Sequence, residues 1–237
     1  ALIKPKDFVL GKKYPVFMFL YGGPGSQQVM NRWNSFGYYG WLQMLAQKGY
    51  IICVVDNRGT GGRGEEFKKM TYLQLGKLET EDQIDAARYL GSLDFVDASR
   101  IGIFGWSYGG YMSSLCLLKG NDLFKAAIAV APVTNWKWYD TIYTERYMRR
   151  TSDNPTGYAE NSPVYFADRL KGNYLLVHGL ADDNVHPQNS IEMVNALVRH
   201  RKAFDMYFYP NKNHGIGGAD ARMHLFARMT DFVLNKL

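Results

Sequence analysis

Six short apolar runs, each followed by a turn and then in most cases by a helix-like stretch, limit what this chain can fold into. They are YPVFMFLY (14–21), YIICVVD (50–56), RIGIFG (100–105), FKAAIAVA (124–131), NYLLVHG (173–179) and FDMYFYP (204–210). Runs of this length, rich in β-branched and aromatic residues, read as strands. Helical patterns lie between and after them, at roughly 38–48, 80–91, 108–119, 188–200 and 220–236. The strands are apolar almost throughout, as expected when helices cover both faces of a sheet. The alternation predicts an α/β fold with a doubly wound, mostly parallel sheet and helices on both faces. Thr80 followed by Gln83 reads as a capping box opening the second helix. The stretch from Ala131 to Asn173 is long, irregular and rich in Tyr, Trp, Asn and Pro, and is expected to rise above the sheet.

The 237 residues suit one domain spanning 1–237. No apolar run approaches the length of a membrane span. The net charge of +6 comes from scattered lysines and arginines, in small pairs such as Lys12-Lys13 and Arg149-Arg150. That reads as a solvated surface, and no nucleic-acid partner is expected. Cys53 and Cys116 sit in apolar runs without a Cys/His cluster, so buried thiols are expected, with no metal and no cofactor. The opening ALIKPKDFVLGKKYPVF has no signal-peptide layout and reads like the middle of a longer protein.

Chemistry enters at GWSYGG, residues 105–110. Gly105-Trp106-Ser107-Tyr108-Gly109 is a G-x-S-x-G pattern between a strand and a helix that ends at Gly120. This is the setting of a nucleophile elbow, a sharp turn that exposes a serine at the carboxyl edge of the sheet. A serine nucleophile needs a histidine base and an orienting carboxylate, which in this fold follow in the order Ser, acid, His. Asp182 and Asp183 lie just after one strand, and His214 just after the next. His178, inside a strand, reads as a core residue, while His200 and His224 fall on helices and His186 precedes one. One oxyanion donor is expected from the backbone N–H of Tyr108. A second is expected near LYGGPGSQ, from the backbone after Tyr21 or from the Tyr21 hydroxyl. GTGGRG (59–64) matches a dinucleotide fingerprint, but Asp56-Asn57-Arg58 intervene after the strand, so a tight loop near the site is expected instead. Glu145, in YTERYM, is expected to pair with Arg146 or a neighbouring arginine.

GWSYGGYM, APVTNWKWYDTIYTERYM, HGLADDNVHPQNS and HGI together resemble the prolyl oligopeptidase family of serine peptidases, most closely its dipeptidyl peptidase IV branch. The resemblance covers essentially the whole chain and implies an α/β-hydrolase fold. It implies Ser107, Asp182 and His214 as catalytic triad, with Tyr21 and Tyr108 as oxyanion hole. By the same resemblance Val133, Trp136, Tyr139, Tyr143 and Val185, with Tyr108, form an apolar pocket for proline, and Asn184 binds the substrate backbone. The implied activity is release of N-terminal dipeptides after a penultimate proline or alanine, so the expected partners are peptides with proline second. The implied context is an N-terminal β-propeller of the same polypeptide, not present in this chain, and a homodimer formed partly through the C-terminal helix. A periplasmic, cell-surface or secreted setting is also implied. A broader acyl hydrolase would use the same triad. A catalytically silent relative would lack the serine.

Overall fold

The computed structural model describes residues 1–34 and 36–237. The six expected strands are β2 (Tyr14–Phe19), β3 (Ile51–Val54), β4 (Val96–Trp106), β5 (Phe124–Val130), β6 (Asn173–Gly179) and β7 (Asp205–Tyr209). A seventh, β1 (Leu2–Ile3), is too short to carry a periodic signal and pairs antiparallel with β3. The order across the sheet is β1-β3-β2-β4-β5-β6-β7, and every pair after the first is parallel. Parallel neighbours need crossovers, and these are α1 (Tyr39–Gln47), α2 (Glu65–Lys69), α3 (Lys77–Gly91), α4 (Tyr108–Lys119), α5 (Thr141–Met148), α6 (Pro155–Glu160) and α7 (Gln188–Arg199). The last helix, α8 (Ala219–Lys236), follows β7.

The strands sort their side chains by pleat. Val16 and Met18 of β2, Ile101 and Ile103 of β4, and Tyr174 and Leu176 of β6 face one core, packed under α3, α4 and α7. Phe17 and Phe19, Phe104 and Trp106, and Leu175 and Val177 face a second core under α1 and α8. Both sides of the central strands are therefore apolar because both are covered, which explains the absence of polar alternation there, while the edge strand β7 is largely exposed. Cys53 and Cys116 are buried free thiols. Among the described residues no helix is long and apolar enough to cross a membrane.

One expected element starts elsewhere. α3 begins at Lys77, three residues before Thr80, with Gly76 preceding it at φ +89°. The Gly76 N–H donates to Glu79 Oε2 at 2.9 Å, so Glu79 closes the helix start. Thr80 instead donates its hydroxyl back to the Gly76 carbonyl at 2.5 Å. Gly76 is required there by packing, since a Cβ would lie 1.8 Å from the Tyr111 hydroxyl. The 131–173 excursion folds as α5 and α6 with short 3-10 turns at Trp136–Trp138 and Pro163–Arg169.

Candidate active site

β4 ends at Trp106 and α4 begins at Tyr108, which leaves Ser107 alone in the turn at φ 59° and ψ −118°. A non-glycine residue there is strained, and the turn survives because its neighbours are clamped. A Cβ on Gly105 would lie 2.1 Å from the Gly109 backbone, and one on Gly109 would lie 2.4 Å from the Leu20 carbonyl. The Ser107 N–H donates to the Val130 carbonyl at 2.8 Å. Strand, turn, helix and the neighbouring strand ends therefore touch backbone to backbone, which only glycine permits. Ser107 is half-buried and opens into a cavity of about 570 Å³.

His214 lines the same cavity, in the loop between β7 and α8. Its Nδ1 lies 2.7 Å from Asp182 Oδ2, which sits in the loop after β6 and is only 3 % exposed. The Ser107 hydroxyl and the His214 ring share the cavity without a hydrogen bond between them. Such a contact is often loose before substrate arrives. Asp182 takes two backbone N–H bonds on Oδ1, from Asn184 and Val185, each at 3.0 Å. His178 adds a contact of 3.1 Å to Oδ2. Burial pushes the Asp182 carboxyl up, but the hydrogen bonds from His178 and His214 outweigh it and hold the group well below the usual carboxylate range. It is thus a fixed anion behind His214. Asp183 is exposed and faces a different depression, with Lys137 and His186.

His178 is the buried core histidine that its strand position suggests, and it also touches the candidate acid. Its Nε2 lies 2.8 Å from the Val185 carbonyl as well as near Asp182, and its Nδ1 lies 2.6 Å from Ser190 Oγ. Two acceptors on Nε2 require the proton there, leaving Nδ1 to accept from the Ser190 hydroxyl. A histidine four residues before the acid gives no sign of this in the sequence, because the link needs the β6–α7 turn to fold back.

Tyr21 stands at the mouth of the cavity, just past β2, 37 % exposed. Burial raises its phenol pKa, the Ser107 hydroxyl opposes that rise, and both residues line the cavity. The Tyr108 N–H opens α4 and has no partner within the helix. The GGPG loop after Tyr21 is fastened to the GTGGRG loop. The Gly25 N–H donates to the Gly59 carbonyl at 3.1 Å, and the Gly61 N–H donates to the Ser26 carbonyl at 2.8 Å. Asp56 caps the Gln28 and Val29 N–H groups at 2.9 and 2.8 Å, and Asn57 donates to the Gly22 carbonyl at 3.0 Å. The residues that broke the dinucleotide pattern therefore position the Tyr21 loop.

The residues expected to hold proline form one aromatic group beside the elbow. Tyr108 lies 5.6 Å from Trp136, which stacks on Tyr143 at 5.9 Å and 19°. Tyr139 meets Tyr143 edge-on at 5.3 Å. Trp136, Val133 and Val185 are buried behind it. Tyr139 and Asn184 line the cavity with Ser107, and the Tyr139 hydroxyl donates to Asn184 Oδ1 at 2.8 Å. Glu145 is exposed, and among the described residues it makes no ion pair and lies away from the Ser107 cavity. The expected pairing of Glu145 with Arg146 or a neighbouring arginine is therefore not found among the described residues, and the nearby Arg150 pairs with Asp153 at 2.9 Å.

One buried acid escaped the sequence. Glu79 is fully enclosed, and the Tyr108 hydroxyl donates to its Oε1 at 2.7 Å. Burial, partly offset by the Gly76 N–H and the Tyr108 hydroxyl, pushes its carboxyl up to about 7. Glu79 thereby ties the start of α3 to the ring that walls the site.

The chain is similar to known proteins along its length. The Prolyl oligopeptidase family profile matches residues 36–237. The chain is 44 % identical over 236 residues to prolyl endopeptidase FAP of Mus musculus, covering 98 % of this chain and 30 % of that protein. It is 40 % identical over 240 residues to dipeptidyl peptidase 8 of Homo sapiens, covering 100 % of this chain and 27 % of that protein. The crystal structure of Porphyromonas gingivalis dipeptidyl peptidase 4 superposes with a TM-score of 0.96 at 50 % identity, over 100 % of this chain and 33 % of that one. The chain thus spans about a third of the length of the relatives it matches. With this likeness the mostly parallel sheet is an α/β-hydrolase fold. Profile, identity and superposition agree that this chain belongs to the prolyl oligopeptidase family.

Proposed function

We propose that this chain is the peptidase domain of a serine exopeptidase that releases N-terminal dipeptides after a penultimate proline or alanine. The observation that carries the reading is the 2.7 Å contact of His214 Nδ1 with the buried Asp182, in the cavity where Ser107 is presented on its strained turn. Asp182 holds the imidazole so that Nε2 faces the cavity. Ser107 Oγ attacks the scissile carbonyl carbon while its proton passes to His214 Nε2. The carbonyl π electrons move to oxygen, where the Tyr108 N–H and the Tyr21 hydroxyl stabilise the oxyanion. The carbon–nitrogen bond breaks as His214 returns the proton to the leaving amine. Water, activated by the same imidazole, then releases the dipeptide from Ser107.

The aromatic group around Trp136 suits a proline ring, since flat rigid walls bury it at little entropic cost. Holding the free amine of the substrate calls for further acid groups, and the exposed Glu145 and Asp183 lie away from the Ser107 cavity. In this reading the amine anchor lies in an N-terminal propeller of the same polypeptide, and α8 contributes to a homodimer. The test uses the full-length protein on Gly-Pro-Ala-Ala and its N-acetylated form, with products read by mass spectrometry. Free Gly-Pro should appear from the first peptide and not from the second. Equal cleavage of both, or hydrolysis of short esters alone, would favour a broader acyl hydrolase.

A further inference from the structure

Two linked groups of side chains line the Ser107 cavity. Tyr139 and Asn184 are hydrogen-bonded to each other beside the aromatic group, and Tyr38, Arg222 and the His214 backbone all meet the Trp106 ring. The leaving amine departs on the side of the imidazole that gives it a proton. On the functional reading above, the group around His214 and Trp106 therefore receives the released peptide.

Arg222 is the cation of that group. It lies on the first turn of α8, half-buried, with its guanidinium carbon 5.1 Å from the centre of the Trp106 ring. Tyr38 stacks on the same indole at 5.8 Å and 10°. The indole N–H donates to the His214 carbonyl at 2.9 Å. One rigid ring thus ties the cation to the acid–base histidine, so its distance from the reacting bond is set by the fold. Its contact with the ring spends none of the five guanidinium N–H donors. Among the described residues no carboxylate pairs with Arg222.

The surroundings have room for an anion and supply none. Gln28, Gly37, Tyr38 and Arg222 also wall an open depression of about 1100 Å³ that continues the cavity away from Ser107. Among the described residues neither cavity is lined by an acidic side chain, and the outer one carries a second cation, Arg32. A peptide extending from Ser107 past His214 would pass the Arg222 edge before reaching the outer depression. The group that matches a planar fork of donors there is a carboxylate.

We infer that Arg222 is a specificity-determining residue that pairs with a carboxylate at the first or second residue of the released peptide. The enzyme then favours substrates that are acidic just beyond the cleaved bond. This rests on the dipeptide-releasing reading.

The test measures kcat/KM of the full-length protein on two pairs of C-terminally amidated peptides, Gly-Pro-Glu-Ala against Gly-Pro-Gln-Ala and Gly-Pro-Ala-Glu against Gly-Pro-Ala-Gln. At least one acidic peptide should be favoured roughly three- to tenfold, the range of a partly exposed charge-assisted contact. That ratio should fall toward one at about 1 M salt, where screening is nearly complete. Arg222→Gln should bring it to about one, and Arg222→Glu should turn it below one. Each ratio is taken within one preparation, so a loss of folded protein cancels. Equal rates within both pairs, or a preference that survives Arg222→Gln, overturn the inference while leaving the functional reading intact. Failure to cleave any of the four peptides overturns both.

Discussion

Asp182 receives four hydrogen bonds while almost wholly buried, two from backbone N–H groups and two from histidines. Asp183 beside it is exposed and faces away. Spacing in the sequence left the two aspartates equivalent, because both follow β6, and what separates them is the direction of a turn. Asp182→Asn should lower kcat on the order of 10⁴-fold, since an amide holds the wrong tautomer of the imidazole. Asp183→Asn should change kcat by far less. Steady-state kinetics of the two variants check the assignment, and a larger loss in Asp183→Asn would reverse it. Tyr21→Phe keeps the ring and removes only the hydroxyl of a residue that shares the Ser107 cavity. It should reduce kcat roughly 10²–10³-fold with little change in KM. A rise in KM with kcat intact would make Tyr21 a packing residue.

At the scale of elements, the elbow depends on contact between backbones. Gly105 and Gly109 leave no space for a methyl group, whereas Gly40 on α1 has nothing within 4 Å. Gly105→Ala and Gly109→Ala should therefore destabilise by about 3 kcal/mol, the upper part of the usual range for forced overpacking. Gly40→Ala should be neutral or stabilise by up to about 1 kcal/mol, as glycine is a poor helix residue. Urea midpoints of the three variants make the comparison. The glycines of G-x-S-x-G are legible in the sequence as spacing. That Gly76 must also lack a side chain, because of the Tyr111 hydroxyl, is not. Thr80 and Gln83 fit a cap pattern, but the helix starts three residues earlier, where Glu79 accepts from the Gly76 N–H. Gly76 and Glu79 also stand three apart, so local spacing allowed either start, and only the packing of Tyr111 against Gly76 favours the earlier one.

For the whole molecule, the parallel sheet and its two helix layers follow from the apolar runs, because the central strands must bury both faces and a helix-covered parallel sheet does so, whereas the strand order is not written in the runs. That Ser107, Asp182 and His214 come together was legible because each stands just beyond a strand end. His178 and Glu79 were not legible, since one reads as core and the other as a helix acid, and only folding brings them to Asp182 and Tyr108. Glu79 also gives global stability a pH signature. Its folded pKa, about 7, lies above its ordinary 4.5, so the folded state holds the proton more tightly. Its contribution is complete below about pH 4.5 and is lost as pH rises through about 7, an effect on the order of 3 kcal/mol. Glu79→Gln should flatten that fall between pH 5 and 8 in urea unfolding, and an unchanged slope would remove Glu79 as its source.

The central claim is that Ser107 is a nucleophile made reactive by His214. It is tested most directly by treating the full-length protein with a fluorophosphonate and mapping the adduct by peptide mass spectrometry. The expected result is one phosphonylated site, on the peptide carrying GWSYGG at Ser107, whose formation is slowed at least about a hundredfold in His214→Ala, as removal of a general base requires. No adduct, an adduct on another residue, or equal labelling of His214→Ala would contradict it.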